Sequence, residues 1–277
     1  MGNPKNQIQA QTPKNWPPGV LYTRASAYAP SLTASHIKSL RTKPASPVGT
    51  VPTPKTTAPT TTHLREVPRT HPTGPSAKVR IHSITDPAHP ACTQAGLFAT
   101  RDLPPGSLIL PYIGVLHASD DPAYAASDYD LWVTDRCGGG AGDDTAGGAE
   151  TWREGEGRGA QSLSCSGVAV DATKSGNEAR FINDYRGVPG AVRPNAEFCE
   201  VWDVQKGEMG IAVFVMSAGA KRDKEKTKGK AQGKRGNGGG EVRDRSRGIG
   251  KGEEILVSYG KGFWENRRVE AAEVEYA

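Results

Sequence analysis

The chain has 277 residues, of which 35% are hydrophobic, with 34 Gly, 21 Pro and a formal net charge of +5. That apolar share is below the globular average, so part of the chain lies outside any packed core, and the length allows one large domain or two small ones. No run of about eighteen apolar residues and no apolar leader core occurs, which excludes a membrane-spanning helix and leads us to expect a protein that is not secreted, in the nucleus or otherwise the cytoplasm. Four widely spaced cysteines (Cys92, Cys137, Cys165, Cys199) contain no C-x-x-C pair. They give no disulfide framework, and they argue against a structural zinc site.

Charge is unevenly spread. Residues 1–77 carry a balance of +8 and residues 219–247 a balance of +7, which leaves −10 on the remainder. An acidic body with basic appendages is compatible with a basic peptide as substrate, through long-range steering. The appendages are either solvated runs or contacts for nucleic acid, where each Lys or Arg set on a phosphate releases a counterion.

In chain order, residues 1–77 hold 13 of the 21 prolines among Thr, Ser and Ala. A segment so poor in apolar residues cannot offset its chain entropy by burial and is expected to be disordered. Order is expected from Lys78. Val79–His82 alternates as a strand does, and Gly96–Thr100 and Ser107–Ile113 read as strands around the turn Leu103-Pro104-Pro105-Gly106. Tyr129–Val133, Val168–Asp171 and Ile211–Met216 are further strands, and one short helix is expected over Lys174–Phe181. Residues 135–160, with their glycine runs, and the Lys/Arg/Gly-rich residues 219–247 read as long insertions. The pattern is that of a mainly β domain (α+β with little helix) over 78–265, with a tail over 266–277.

Three blocks carry chemistry. The first is Gln94-Ala95-Gly96-Leu97-Phe98-Ala99, where a glycine permits close backbone approach to a ligand. The second is Asn177-Glu178-Ala179-Arg180-Phe181-Ile182-Asn183, with Pro194-Asn195 eleven residues on. An asparagine amide can accept from an ammonium and donate elsewhere at the same time. The third is Gly252-Glu253-Glu254-Ile255-Leu256-Val257-Ser258-Tyr259-Gly260, followed by Phe263-Trp264. No phosphate-binding loop, nucleophile elbow or dinucleotide fingerprint occurs, and the histidines show no cluster with Cys or carboxylates, so no metal is assigned.

In this order the blocks resemble those of the SET-domain protein-lysine methyltransferases. The resemblance implies a β-clip fold of several small sheets with a C-terminal pseudoknot, and methyl transfer from S-adenosyl-L-methionine to a lysine of a histone or other protein. It implies Tyr259 as the catalytic residue and Gly96, Leu97, Arg180, Asn183 and Trp264 as cofactor-binding residues. Tyr112 and Tyr129 resemble family tyrosines that line the lysine channel or cofactor pocket, or they simply pack the core. The chain departs from the family pattern at Gln94 and Pro111, at Asp184 and Tyr185 in place of histidine and serine, and at Val257 and Ser258 in place of an aromatic and aspartate. No cysteine-rich module follows Tyr259. The alternative is a catalytically inactive SET-like domain that binds chromatin or nucleic acid through its basic stretches.

Overall fold

The computed structural model describes residues 12–44, 64–134, 167–217, 247–260 and 263–264. Strands β1 (Leu21–Tyr22) and β2 (Ala27–Tyr28) precede helix α1 (Ala34–Leu40) and β3 (Arg65–Val67). There follow β4 (Val79–Ser83), β5 (Ala95–Ala99), β6 (Leu108–Tyr112), β7 (Val115–Ala118), β8 (Asp130–Thr134) and β9 (Val168–Asp171). The chain continues through β10 (Ser175–Gly176), β11 (Asn183–Asp184), β12 (Ala196–Asp203), β13 (Glu208–Val215) and β14 (Leu256–Val257). Two four-stranded sheets, β3-β12-β13-β6 and β2-β7-β9-β8, are joined by the pairs β4-β5, β1-β10 and β11-β14. This is the expected set of small sheets with little helix, and each of the six strands read from the sequence is present with its ends within three residues of those expected.

The core lies between the sheets and is built from the inward residues of the strands. Leu97, Ile109, Val133, Val168, Val213, Ile249, Ile255 and Val257 are all fully buried. Gly114 makes the corner between β6 and β7 possible, because a Cβ there would lie 2.0 Å from the Asp171 carbonyl oxygen. No other residue lets the two backbones approach so closely.

The expected tuck of the C-terminal segment is present. Residues 254–257 run between β5, β11 and Asn195. Ile255 N donates to the Leu97 carbonyl at 2.8 Å, and β14 pairs in parallel with β11. Asn195 closes the remaining side: its Nδ2 donates to the Glu254 carbonyl and its Oδ1 accepts from Leu256 N, both at 2.8 Å.

Two expectations fail. Residues 12–44 and 64–77 are not disordered: β1 pairs with β10, β2 with β7 and β3 with β12, each as a parallel addition to a strand of the body. Averaged composition hid a few anchors. Trp16 packs edge-on against Tyr22 and Phe181 at 5.1 and 5.4 Å, and Leu40 is wholly buried. Helix α1 starts at a capping box, in which Thr33 Oγ1 accepts from His36 N and the His36 ring accepts from Thr33 N. The expected helix over Lys174–Phe181 is instead β10 followed by a 3-10 turn, Glu178–Phe181. Its would-be cap, Asn177, is committed elsewhere, with Nδ2 on the Pro111 carbonyl and Oδ1 on Ile113 N. The insertion over 135–160, all of the insertion over 219–247 except Arg247, and the 266–277 tail lie outside the described residues.

His117 on β7 joins the second sheet to β8. Its Nδ1 faces the Ala118 carbonyl at 2.8 Å and its Nε2 faces Asp130 Oδ1 at 2.9 Å, while Tyr124 stacks on the ring at 3.8 Å. Both ring nitrogens meet acceptors, an arrangement complete only for the imidazolium. Burial lowers its pKa, but the Asp130 and Ala118 hydrogen bonds outweigh that, with help from the Asp171 charge, and the net value lies above the ordinary 6.5.

Two predictions follow from this packing. Leu40→Ala should lower unfolding free energy by about 3 kcal/mol in urea titrations, as for a core truncation; no change would mean that the N-terminal segment is dispensable. The His117 contribution should be complete below pH 6.5, the value for the unfolded chain, and should be lost as pH rises through the higher folded value. In urea midpoints measured against pH, His117→Gln should remove that decline.

Candidate functional site

Three remote pieces of chain, 95–97, 182–184 and 254–259, meet at one place. Tyr259 follows β14 and is fixed at both ends. Its backbone N–H donates to Asp184 Oδ2 at 2.7 Å, and its hydroxyl donates to the Ile182 carbonyl at 2.6 Å. Asn183 lies between those two partners. Burial, then the neighbouring Tyr129, then the Asp184, Asp128 and Glu254 charges push the Tyr259 phenol well above its usual range. It is therefore a neutral hydroxyl at any physiological pH, suited to orienting a partner and not to acting as a phenolate base.

Tyr112 and Tyr129 converge on the same place. Tyr112 is 6% exposed, and its hydroxyl donates to the Tyr129 carbonyl at 2.7 Å. Burial first and Tyr259 second hold its pKa well up. Arg180 does not point its donors toward Asn183. Its guanidinium lies 4.6 Å over the Tyr129 ring, with Nε on the Ala172 carbonyl at 2.9 Å and Nη2 on the Thr173 carbonyl at 3.3 Å. It braces the tyrosine wall.

Asn183 Nδ2 donates to Glu254 Oε1 at 2.9 Å and to the Ala95 carbonyl at 3.4 Å. Both partners only accept, so the amide can sit only one way round, and Oδ1 is turned from them with no donor among the described residues. Glu254 is itself held. Its Oε2 meets His89 Nε2 at 3.1 Å, and His89 Nδ1 accepts from Ala91 N at 3.0 Å. A ring nitrogen that accepts from a backbone N–H carries no proton, so the His89 proton is on Nε2 and points at Glu254.

Gly96 lies across from this carboxylate, and a Cβ at 96 would stand 2.5 Å from Glu254 Oε1. Leu97 is fully buried and its carbonyl accepts from Ile255 N, so it serves the core. Rings continue outward from Tyr259 to Phe263 (4.9 Å) and from Phe263 to Trp264 (5.4 Å), each edge to face. The Trp264 indole N–H is buried and has no partner among the described residues.

Of the residues named from the sequence, Gly96 and Asn183 meet at Glu254, Tyr112 and Tyr129 adjoin Tyr259, and Trp264 reaches Tyr259 through Phe263. Sequence reasoning missed Glu254 as the group that orients Asn183, His89 as the group that holds Glu254, and Asp184 as the anchor of Tyr259. It also did not foresee the single carboxylate partners of two histidines, His89 with Glu254 and His117 with Asp130. Only a signal for chain crossing could have found these contacts, because the residues lie 13 to 165 positions apart. Among the described residues no cluster of three or more His, Cys, Asp or Glu could hold a metal ion.

Residues 94–223 match the family model for the SET domain. The chain carries a SET domain. The match ends before Tyr259, and the strand pairing of residues 254–257 is what returns the last block to the domain. The fold is also similar to solved structures, at low TM-score. One is the Chaetomium thermophilum polycomb repressive complex 2 (18% identity, 69% of this chain and 16% of that one, TM-score 0.36). Another is KRYPTONITE in complex with mCHH DNA, an H3(1-15) peptide and SAH (14% identity, 66% and 23%, TM-score 0.34). A third is ctPRC2 in an autoinhibited conformation bound to S-adenosylmethionine (19% identity, 73% and 17%, TM-score 0.36). The chain thus spans less than a quarter of the length of each. No curated protein matches the sequence.

Asn183 Oδ1 thus leaves an acceptor beside the Glu254 carboxylate, and Trp264 leaves an aromatic face and an N–H with no partner among the described residues. Gly96→Ala should force Glu254 from its place and lower stability by about 1–3 kcal/mol. That loss should shrink in a Glu254→Ala background, where the obstructing oxygen is gone. Equal losses in both backgrounds, by urea unfolding, would assign the clash to Ile84 and Phe98, each 3.1 Å from the added Cβ.

Proposed function

We propose that this SET domain is an S-adenosylmethionine-dependent protein-lysine N-methyltransferase. The observation that carries the reading is the double attachment of Tyr259 to Ile182 and Asp184, the residues on either side of Asn183. It sets the candidate catalytic hydroxyl and the candidate cofactor amide in one rigid unit, which is what a positioning mechanism needs.

When bound, the cofactor supplies an electrophilic sulfonium methyl. Asn183, oriented by Glu254, binds its ammonium, and Gly96 lets Glu254 take that place. Trp264 closes the adenine side. Tyr259 has its own proton on the Ile182 carbonyl, so its oxygen lone pairs face outward to hold a substrate amine or the polarised methyl group. Tyr112 and Tyr129 form the wall of the lysine channel, with Arg180 behind them. No metal enters this reading. A histone lysine in the nucleus is the first substrate to test. The basic stretches 1–77 and 219–247 add a contact for nucleic acid, whose mark would be steep loss of affinity with salt.

The test is transfer of tritium from labelled S-adenosylmethionine onto core histones and a protein extract, with cofactor binding measured by calorimetry. Tyr259→Phe should reduce kcat about 100-fold and leave cofactor affinity nearly unchanged, as expected for loss of one preorganised polar contact. Parental turnover in Tyr259→Phe would remove Tyr259 from catalysis. Cofactor binding without labelling of any protein would favour the non-catalytic binding module.

A further inference from the structure

Asp184 stands where the resembled family has histidine, and Ser258 where it has aspartate. Either change alone looks like damage beside the catalytic tyrosine, but the structure shows the two positions joined. The Asp184 side chain is 4% exposed and its carboxylate is saturated. Oδ1 accepts from Arg186 N at 2.8 Å, and Oδ2 accepts from Arg186 Nη1 at 2.8 Å and from Tyr259 N at 2.7 Å. The same Arg186 Nη1 reaches Ser258 Oγ at 3.3 Å, and Ser258 Oγ accepts from Gly260 N at 3.3 Å. The Arg186 guanidinium is also seated 4.9 Å over the Tyr185 ring.

We infer that Asp184 is a positioning residue for Tyr259, and that Arg186 and Ser258 complete the brace. The acid has changed strands: it acts from β11, and a serine small enough to admit the arginine stands beside the tyrosine. A buried carboxylate needs a cation and several donors to be tolerated, and Arg186 with two backbone N–H groups provides them. The backbone N–H of Tyr259 is one of those donors, so the charge cannot be satisfied unless Tyr259 is in place. Gly260 follows at a φ of +88°, and among the described residues no strand comes after β14 to pair on the C-terminal side of the tyrosine. Asp184 holds the backbone end of the ring and Ile182 the hydroxyl end. Losing the first lets the ring pivot about the second. This assignment rests on the methyltransferase reading for its catalytic consequence, but its geometric content is independent of it.

The experiment uses the full chain. Amide hydrogen exchange at Tyr259 and Gly260 is measured for the parent, Asp184→Asn, Asp184→Ala and Arg186→Met, together with kcat, KM and cofactor affinity. Exchange at Tyr259 should accelerate at least tenfold in Asp184→Ala, with protection elsewhere in β4 and β13 unchanged. The rate kcat should fall about 30-fold with KM and cofactor affinity within about twofold, since misplacement of a catalytic group is felt mainly in turnover. In a Tyr259→Phe background the further loss from Asp184→Asn should nearly vanish. A full, additive loss there would make Asp184 merely structural. If Asp184→Ala does not fold, the near-isosteric Asp184→Asn and the half-exposed Arg186→Met decide the matter, and unchanged Tyr259 exchange in both overturns the brace. Accelerated exchange in the Asp184 variants of a parent that binds cofactor but labels nothing would sustain the brace and defeat the methyltransferase reading.

Discussion

Everything at the site depends on the crossing of residues 254–257 through the middle of the domain. Ile255 and Val257 are fully buried, so the polar backbone between them must find its partners inside protein. It finds them on three sides: the Leu97 carbonyl, β11, and the side-chain amide of Asn195. The chain between β11 and β14 is some 70 residues long, and closing such a loop has an entropic cost that grows slowly with length. A long insertion such as 219–247 can therefore be carried at little extra cost, while the crossing itself is fixed by buried hydrogen bonds that water cannot replace. A site built at such a crossing gains definition from it, because Tyr259 and Asn183 cannot shift independently.

The N-terminal segment answers a second constraint. Small sheets have a high proportion of edges, and exposed edges invite unwanted pairing. Strands β2 and β3 each lie at an edge of a four-stranded sheet, and β1 covers β10. The segment is thus a wrapping for strands that would otherwise end in water, held by a handful of apolar anchors (Trp16, Leu32, Ile37, Leu40) among many prolines and polar residues. Stability and site geometry are linked through it, since Phe181, two residues before Asn183, packs on Trp16.

What the sequence made legible were the elements with local signatures. Strands over 79–83, 95–99, 108–112, 130–134, 168–171 and 208–215 announced themselves by alternation or apolar runs between turn residues. The blocks around Asn183 and Tyr259 announced the family. β12 was not read, because Glu197 and Glu200 interrupt its apolar pattern while its pairing with β13 supplies the order. Helix α1 was hidden by the low-complexity stretches on either side of it. Spacing also gave no sign that the Arg180 guanidinium is held by the Ala172 and Thr173 carbonyls. Contacts such as His89 with Glu254, or Asp184 with the Tyr259 N–H, are made by chain crossing and leave no trace in spacing.

The electrostatics of the tyrosine cluster favour one style of chemistry. Asp128, Asp184 and Glu254 place negative charge around Tyr259, and with burial and Tyr129 they hold its proton firmly. Such a field attracts a cationic side chain, yet an ammonium has no lone pair and cannot accept a methyl group. A channel walled by charged carboxylates at the point of contact would trap the amine in its charged form. On the same reading the groups at contact are neutral hydroxyls. Tyr112 gives its proton to the Tyr129 carbonyl and Tyr259 gives its proton to the Ile182 carbonyl, so both oxygens present lone pairs without a full charge. On the methyltransferase reading, acids at longer range draw the substrate in, and desolvation among aromatic rings favours its neutral form. On the methyltransferase reading, that division between distant charge and local dipole is what allows one small site both to collect a basic residue and to leave its nitrogen free to react.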